Sequence, residues 1–303
     1  MVEARAGEAQ AESDADLLVL SPHLDDAVLS VGGHLARAAA AGARVLVATC
    51  YTSGPSPRAA SLALRAFADF ERRRAEDAEA LTLLGARPRW LGHVERAFRP
   101  PALRHPLQTF ATPDPREGWP HLDELQRELD ALLAAHPRAR VLVPLAVGHH
   151  VDHVAVLAAA CRTLAARGEL GRARFYEDSY ALRSAARRAH FVTAAHRTPW
   201  WRGHELVSPW LAGLSFIVWA GSRGTPPERW LPPGLAGTRW RLVLEPLGEW
   251  GAVKEQAVRR YASQLGALGG GDGYCRLLAR QAALLGGAEA TWAIGGGASG
   301  GGP

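Results

Sequence analysis

The 303-residue chain is expected to form an α/β fold, a Rossmann-like, mostly parallel sheet flanked by helices, with extra strands in its C-terminal half. Two observations predict it. Short apolar runs without polar alternation recur from residue 17 to residue 176, as strands buried on both faces require. Stretches of helical spacing separate them and supply the crossovers that parallel strands need.

Leu17-Leu18-Val19-Leu20, stopped by Ser21-Pro22, reads as the first strand. Helical spacing runs from Ala27 to Ala40 until Gly42 breaks it, and Val45 to Thr49 is the second strand. A long helix is expected from Ala60 to Leu84, ending at Gly85, followed by a short strand at Arg89-Trp90-Leu91. Arg96 to Trp119 is rich in proline and has no clean period, so it reads as a long loop, a form often used as a functional lid. Helix resumes from His121 to Ala135, then a strand at Val141 to Pro144, a helix from Asp152 to Arg167 stopped at Gly168, and a strand at Arg174 to Tyr176. Beyond Leu182 the pattern loosens. The Trp- and Pro-rich stretch from Trp200 to Trp250 is expected to add antiparallel strands, and helices follow at Ala252–Leu265 and Tyr274–Leu285. No repeat or linker divides the chain, so residues 15–292 read as one domain between two disordered tails, 1–14 and 293–303.

Composition narrows the function. The formal net charge is +5, yet Lys254 is the only lysine and the densest basic run, Arg72 to Arg74, is flanked by Glu71, Glu76 and Asp77. A nucleic-acid partner needs a clustered basic face, and none is visible. No apolar run has the length of a membrane span, and the first residues lack the apolar stretch of a secretory signal. Cys50, Cys161 and Cys275 have no CxxC spacing; the first two sit in apolar runs, which fits a reducing cytoplasm.

Two clusters carry chemistry. Ser21-Pro22-His23-Leu24-Asp25-Asp26 follows the first strand, and His149-His150-Val151-Asp152-His153 follows the strand at 141–144. Both fall at the carboxyl ends of expected parallel strands, the rim on which open α/β sheets bind ligands. A catalytic zinc takes three protein ligands and keeps a fourth position for water. His23 and Asp26, three residues apart at a helix start, can turn to one point, and a histidine of the second cluster would complete the set. Asp25 is then left to take a proton, and His150 with Asp152 forms a further acid–base pair. Singly, Asp25 and Asp26 also suit a helix N-terminus, and Asp152 suits an N-cap. Three histidines within five residues, opposite a second His–Asp cluster, have no such structural account.

Together, Pro22-His23-Leu24-Asp25-Asp26 and His150-Val151-Asp152-His153 resemble the PIG-L/LmbE-type N-acetylglucosaminyl deacetylase family. Arg73, Glu76 and Ala80 resemble its Arg-x-x-Glu-x-x-x-Ala helix. Tyr176-Glu177-Asp178 with Tyr180-Ala181, Tyr261-Ala262-Ser263-Gln264, and Glu289 with Trp292 resemble segments of some bacterial members. Ala27 and Leu24 stand where members usually have glutamate and proline. The resemblance implies that His23, Asp26 and His153 bind Zn2+ or another divalent metal. It implies that Asp25 is the general base, that His150 stabilises the oxyanion or protonates the leaving amine, and that Asp152 orients His150. The implied substrate is a small-molecule N-acyl amino sugar; the long proline-rich loop at 96–119 and the Trp-rich half suit something larger than a monosaccharide, which leans toward a glycosylated natural product or its precursor. The alternatives are an amidase of thiol (mycothiol-type) conjugates and a non-catalytic, metal-holding sugar- or lipid-binding protein.

Arg73, Ser30, Tyr176, Glu177 and Asp178 are the candidates for substrate contact, each with a structural alternative. Ser30 is also tolerated in a helix, Arg73 suits an ion pair on a helix face, and the other three end a strand. Trp200, Trp201, Trp210 and Trp219 either stack on a sugar or belong to a core. His93, His105, His121, His190, His196 and His204 lack ligand-type spacing and read as surface or core histidines. Gly32-Gly33 lies within a helical stretch and lacks the pattern of a phosphate loop.

Overall fold

Apolar strands that cannot face water on either side need helices over both faces, and the computed structural model has that arrangement. It describes residues 15–61, 64–179, 184–195, 226–268 and 270–295. Strands β1 (Leu17–Ser21), β2 (Val45–Ser53), β3 (Ala86–Val94), β4 (Arg140–Pro144) and β5 (Ala173–Tyr176) are joined in one sheet by β6 (Trp240–Pro246) and β7 (Ala288–Ile294). The order is β3-β2-β1-β4-β5-β7-β6. The first five pair in parallel and the last two antiparallel, which makes the sheet mixed. Alternate residues of β1 face two cores. Leu18 and Leu20 pack with α3 (Pro120–Ala135) and α4 (Val151–Ala166); Leu17 and Val19 pack with α1 (Asp26–Ala40), α2 (Phe70–Leu83) and α6 (Trp250–Val258).

Several boundaries differ from the sequence expectation. The helix expected from Ala60 begins at Phe70, because the Asp69 carboxylate accepts the Arg72 N–H at 3.1 Å and caps the helix there. Its end at Gly85 is as expected: that residue has φ +69°, which glycine adopts without penalty. The helix expected over Ala252–Leu265 is two, α6 and α7 (Ala262–Leu265), with α5 (Ser184–Ala189) before them and α8 (Gly271–Leu284) after. Between α6 and α7 the buried Tyr261 hydroxyl donates to Asp77 Oδ1 at 2.8 Å, pinning the break. Ala293 and Ile294, assigned by sequence to the tail, are the last residues of β7. The remaining tail residues from 296 on, residues 1–14, Tyr180, Ala181, His196, His204 and Trp200, Trp201, Trp210 and Trp219 lie outside the described residues. Among the described residues no helix is long and apolar enough to cross a membrane. All three cysteines are free and buried.

Helix α1 is kinked. Val31 has φ −131° and ψ 21°, which interrupts the helical backbone. The freed amides beyond the kink are taken by Glu289 of β7: Gly33 N donates to Oε1 at 3.1 Å and His34 N to Oε2 at 2.8 Å. A carboxylate on a half-helix N-terminus is favoured by both hydrogen bonding and the dipole. Lys254 Nζ lies 2.6 Å from Glu289 Oε1 and balances its charge. Gly33 packs closely here: a Cβ would sit 2.0 Å from Leu247 Cδ2 and would have to push that side chain aside.

Candidate active site

Strands β2 and β4 flank β1, so the loops after β1 and β4 meet over adjacent strand ends. This is the crevice that the strand order opens. The first loop is pinned by Ser21, whose Oγ donates to His23 O at 2.8 Å and accepts Ala27 N at 3.2 Å. Tyr51 N, near the extended end of β2, donates to Pro22 O at 2.9 Å. The second loop turns through Ala146 (φ 58°) and His149 (φ 61°), left-handed conformations that non-glycine residues rarely adopt and that cluster at functional sites. His150 then caps α4, its Nδ1 accepting Asp152 N at 3.3 Å.

Three atoms converge between these loops. His23 Nδ1 lies 3.1 Å from Asp26 Oδ2 and 3.2 Å from His153 Nε2, and His153 Nε2 lies 3.1 Å from Asp26 Oδ2. All three side chains are largely buried. A tetrahedral zinc holds nitrogen and oxygen ligands at about 2.0–2.1 Å and hence about 3.3 Å from one another. The triangle already has nearly those edges, so this donor set fits the metal. The far nitrogens are held as metal-binding histidines usually are: His23 Nε2 meets Asp152 Oδ2 at 3.2 Å and His153 Nδ1 meets Asp178 Oδ1 at 2.5 Å. His150 joins His23 and His153 in a group whose ligand atoms all lie within 4.8 Å.

The charges follow from this crowding. Burial alone would raise Asp26, but His153 and His23 against it hold its carboxyl well below the usual range. Burial would lower His153, yet Asp26 and Asp178 push it up to about 9. His23 is likewise raised against burial by Asp152 and Asp26. Asp25 is raised above the ordinary carboxylate range by burial and by the charge of Asp26. Among the described residues the Asp25 carboxylate makes no hydrogen bond. Burial and the neighbouring His23 lower His150, leaving it a neutral ring. Its Nδ1 accepts a backbone N–H, so its own proton sits on Nε2.

The Asp152 carboxylate does more than the sequence suggests. Besides His23, its Oδ2 accepts the Arg96 amide at 2.8 Å and its Oδ1 accepts Arg99 Nη2 at 2.7 Å. Its tie to His150 runs through the backbone amide, whereas its carboxylate orients His23. The proline-rich loop therefore reaches the site through its first residues, which sequence reasoning did not single out. Phe110 and Trp119 of the same loop are buried in the core.

The substrate-contact candidates divide. Asp178 is fully buried, accepts Val147 N at 2.7 Å and holds His153, so its carboxylate is taken up by these partners. Glu177 pairs with Arg187 at 2.6 and 2.9 Å and accepts Trp292 Nε1 at 2.9 Å, so it ties β5 to β7. Tyr176 is a core residue whose hydroxyl donates to Leu20 O at 2.8 Å. Arg73 is buried against Glu95 at 2.6 Å and donates to Phe67 O at 3.0 Å. Ser30 Oγ accepts Ser179 N at 3.2 Å. Each of the five has a structural partner, and the strand-end candidates are inward-facing because the β5 end is covered by β7 and the β4–α4 loop.

The family model described as PIG-L, GlcNAc-PI de-N-acetylase, matches residues 18–164. Among solved structures, the chain is 26% identical to the A40926 pseudoaglycone deacetylase, with a TM-score of 0.61, covering 93% of this chain and 97% of that one. It is 27% identical to a deacetylase of the teicoplanin biosynthesis pathway, TM-score 0.64, over 94% and 99% of the two chains. The zinc-inhibited form of teicoplanin deacetylase gives 26% identity and TM-score 0.64, over 94% and 99%. Comparison with curated proteins returns no match. With both sequence clusters inside the matched segment and meeting at one site, residues 18–164 of this chain are a PIG-L family domain.

Proposed function

We propose that the protein is a zinc-dependent N-deacylase that hydrolyses the N-acyl, in the simplest case N-acetyl, amide of an amino sugar on a glycosylated natural product or its precursor. The observation that carries the reading is the donor triangle of His23, Asp26 and His153 beside the unpartnered Asp25 carboxylate. The likeness over nearly the whole chain to proteins described as deacetylases of A40926 pseudoaglycone and of teicoplanin biosynthesis supports the substrate class.

Zinc bound there would polarise the amide carbonyl and acidify the attacking water. Asp25 takes that water's proton as oxygen joins the carbonyl carbon; its raised proton affinity suits a base that must hold the proton and return it. His150, neutral with its proton on Nε2, donates a hydrogen bond to the oxyanion. The carbon–nitrogen bond then breaks, and the proton held by Asp25 passes to the leaving amine. Asp152 and Asp178 keep the two imidazoles oriented throughout.

The test is incubation of zinc-loaded protein with acetylated amino-sugar glycosides of increasing aglycone size, measuring free amine and acetate. Both are expected in equal amounts. Asp25→Asn is expected to keep its zinc and lose about 10²–10⁴-fold in rate. Undiminished turnover by that variant, or no product from any glycoside, would overturn the reading.

A further inference from the structure

A second histidine cluster lies outside the triangle. His93 near the end of β3 and His121 in the first turn of α3 are 28 residues apart in sequence, yet their rings lie 5.3 Å apart, edge to face. The register shift of β2 against β3 sets His93 opposite Tyr51. His121, Glu124 and Glu128 follow at helical spacing and share one face of α3. One ligand atom each from His93, His121 and Glu124 lies within 4.8 Å of the others. We propose that these three residues, with Glu128 beside them, form a second divalent-cation site of the zinc class.

Three features support a cation in place of a packed surface pair. His121 Nε2 is engaged by the Tyr51 hydroxyl at 2.7 Å, leaving Nδ1 to face Glu124 Oε2 across 3.9 Å. That gap is too long for a hydrogen bond, but an ion about 2.0–2.2 Å from each atom would bridge it. A ligating imidazole donates its other ring N–H to an acceptor, and the Tyr51 hydroxyl oxygen is placed to take the proton of His121 Nε2. His93 Nε2 lies 2.6 Å from Glu128 Oε2, the kind of carboxylate contact that orients a ligating imidazole, and the mixed nitrogen and oxygen set suits zinc. Access is open, since the His93 and His121 side chains are largely covered whereas Glu124 is 63% exposed and free to swing inward.

The site lies close to the first. The Arg99 guanidinium is 3.3 Å from His121 Nε2, 5.3 Å over the Tyr51 ring, and paired with Asp152. Two independent sites nevertheless make separable predictions. Equilibrium dialysis of the full-length protein against Zn2+, with metal counted per folded molecule, is expected to give two equivalents for the wild type. His93→Gln and Glu124→Gln should each give one, with basal hydrolysis unchanged. Asp26→Asn should also give one, retained at the second site. Glu124 is exposed, so its variant tests the site without endangering the fold. Two equivalents in both His93→Gln and Glu124→Gln, or a single wild-type equivalent that Asp26→Asn abolishes, overturns the proposal. A single wild-type equivalent lost in Glu124→Gln but kept in Asp26→Asn upholds it and instead sinks the metal assignment of the triangle.

Discussion

The β1/β4 rim and the β7 side of the sheet hold buried charge in opposite ways. At β7, Glu289 is surrounded by donors, the amides of Gly33 and His34 and the Lys254 ammonium, and Glu177 is likewise met by Arg187 and Trp292. Every strong acceptor there has a hydrogen facing it. At the rim, Asp26 Oδ2 accepts the His23 amide N–H at 2.9 Å, but the ring nitrogens His23 Nδ1 and His153 Nε2 crowd against it and against each other with no other donor between them. Only protons or a cation between them can relieve that arrangement. Residue type does not separate a structural carboxylate from a ligand; what faces its lone pairs does.

The sharpest break of this contrast is His153→Ala or Asp26→Ala. Either should release the first-site metal and abolish turnover while leaving a folded protein, read as metal content beside circular dichroism; stoichiometric first-site metal in either variant would place the ion elsewhere. Lys254→Met attacks the other side. It strands the Glu289 charge, and loss of one partner of a buried pair costs about 3–5 kcal/mol. Denaturant midpoints should fall accordingly while metal per folded molecule holds steady, and a simultaneous loss of metal would show that the two regions are not separate. Asp178→Asn is milder, removing only the charge that orients His153, and should weaken metal affinity about 10–100-fold; an unchanged affinity would make Asp178 a mere core residue.

The most gradual effect concerns pH. Burial pushes Asp77 from 3.8 up to about 6, despite hydrogen bonds from Trp90 and Tyr261. A folded-state value above the unfolded one favours the native protein in acid, and that contribution is lost as pH rises through about 6. Asp77→Asn does not titrate. The stability of the wild type relative to this variant should therefore decline between pH 4 and 7, by roughly 2–3 kcal/mol. A difference that stays flat across that range would mean Asp77 titrates normally.

How much of this was readable depends on where partners lie in the chain. Both strand-end clusters were legible because each packs its chemistry into five or six adjacent residues after an apolar run. The parallel order of β1 to β5 was legible for the same reason. Asp178 reads in the sequence as a candidate substrate contact because its partner, His153, is 25 residues away and only the meeting of the β5 end with α4 joins them. Arg99 sits in a stretch without periodicity, so nothing local tied it to Asp152. His93 and His121 read as isolated for a like reason, sharing no element. The C-terminal strands were legible only as a tendency. β6 falls inside the stretch expected to add antiparallel strands, while β7 mixes Glu289 and Thr291 into an apolar run and blurs the period. The kink at Val31 left no mark on an otherwise helical pattern, since its compensation comes from β7.

One carboxylate joins the proline-rich segment to an imidazole of the donor triangle: Asp152 accepts the Arg96 amide and the Arg99 side chain while holding His23. Coupling through such a shared group is reciprocal. An ion that immobilises His23 must also slow the local opening of residues 96–99, and whatever loosens that stretch must cost the ion affinity by the same factor. Deuterium uptake at the Arg96 amide, compared between metal-loaded and stripped protein, therefore reports ion binding from a position that never touches the ion.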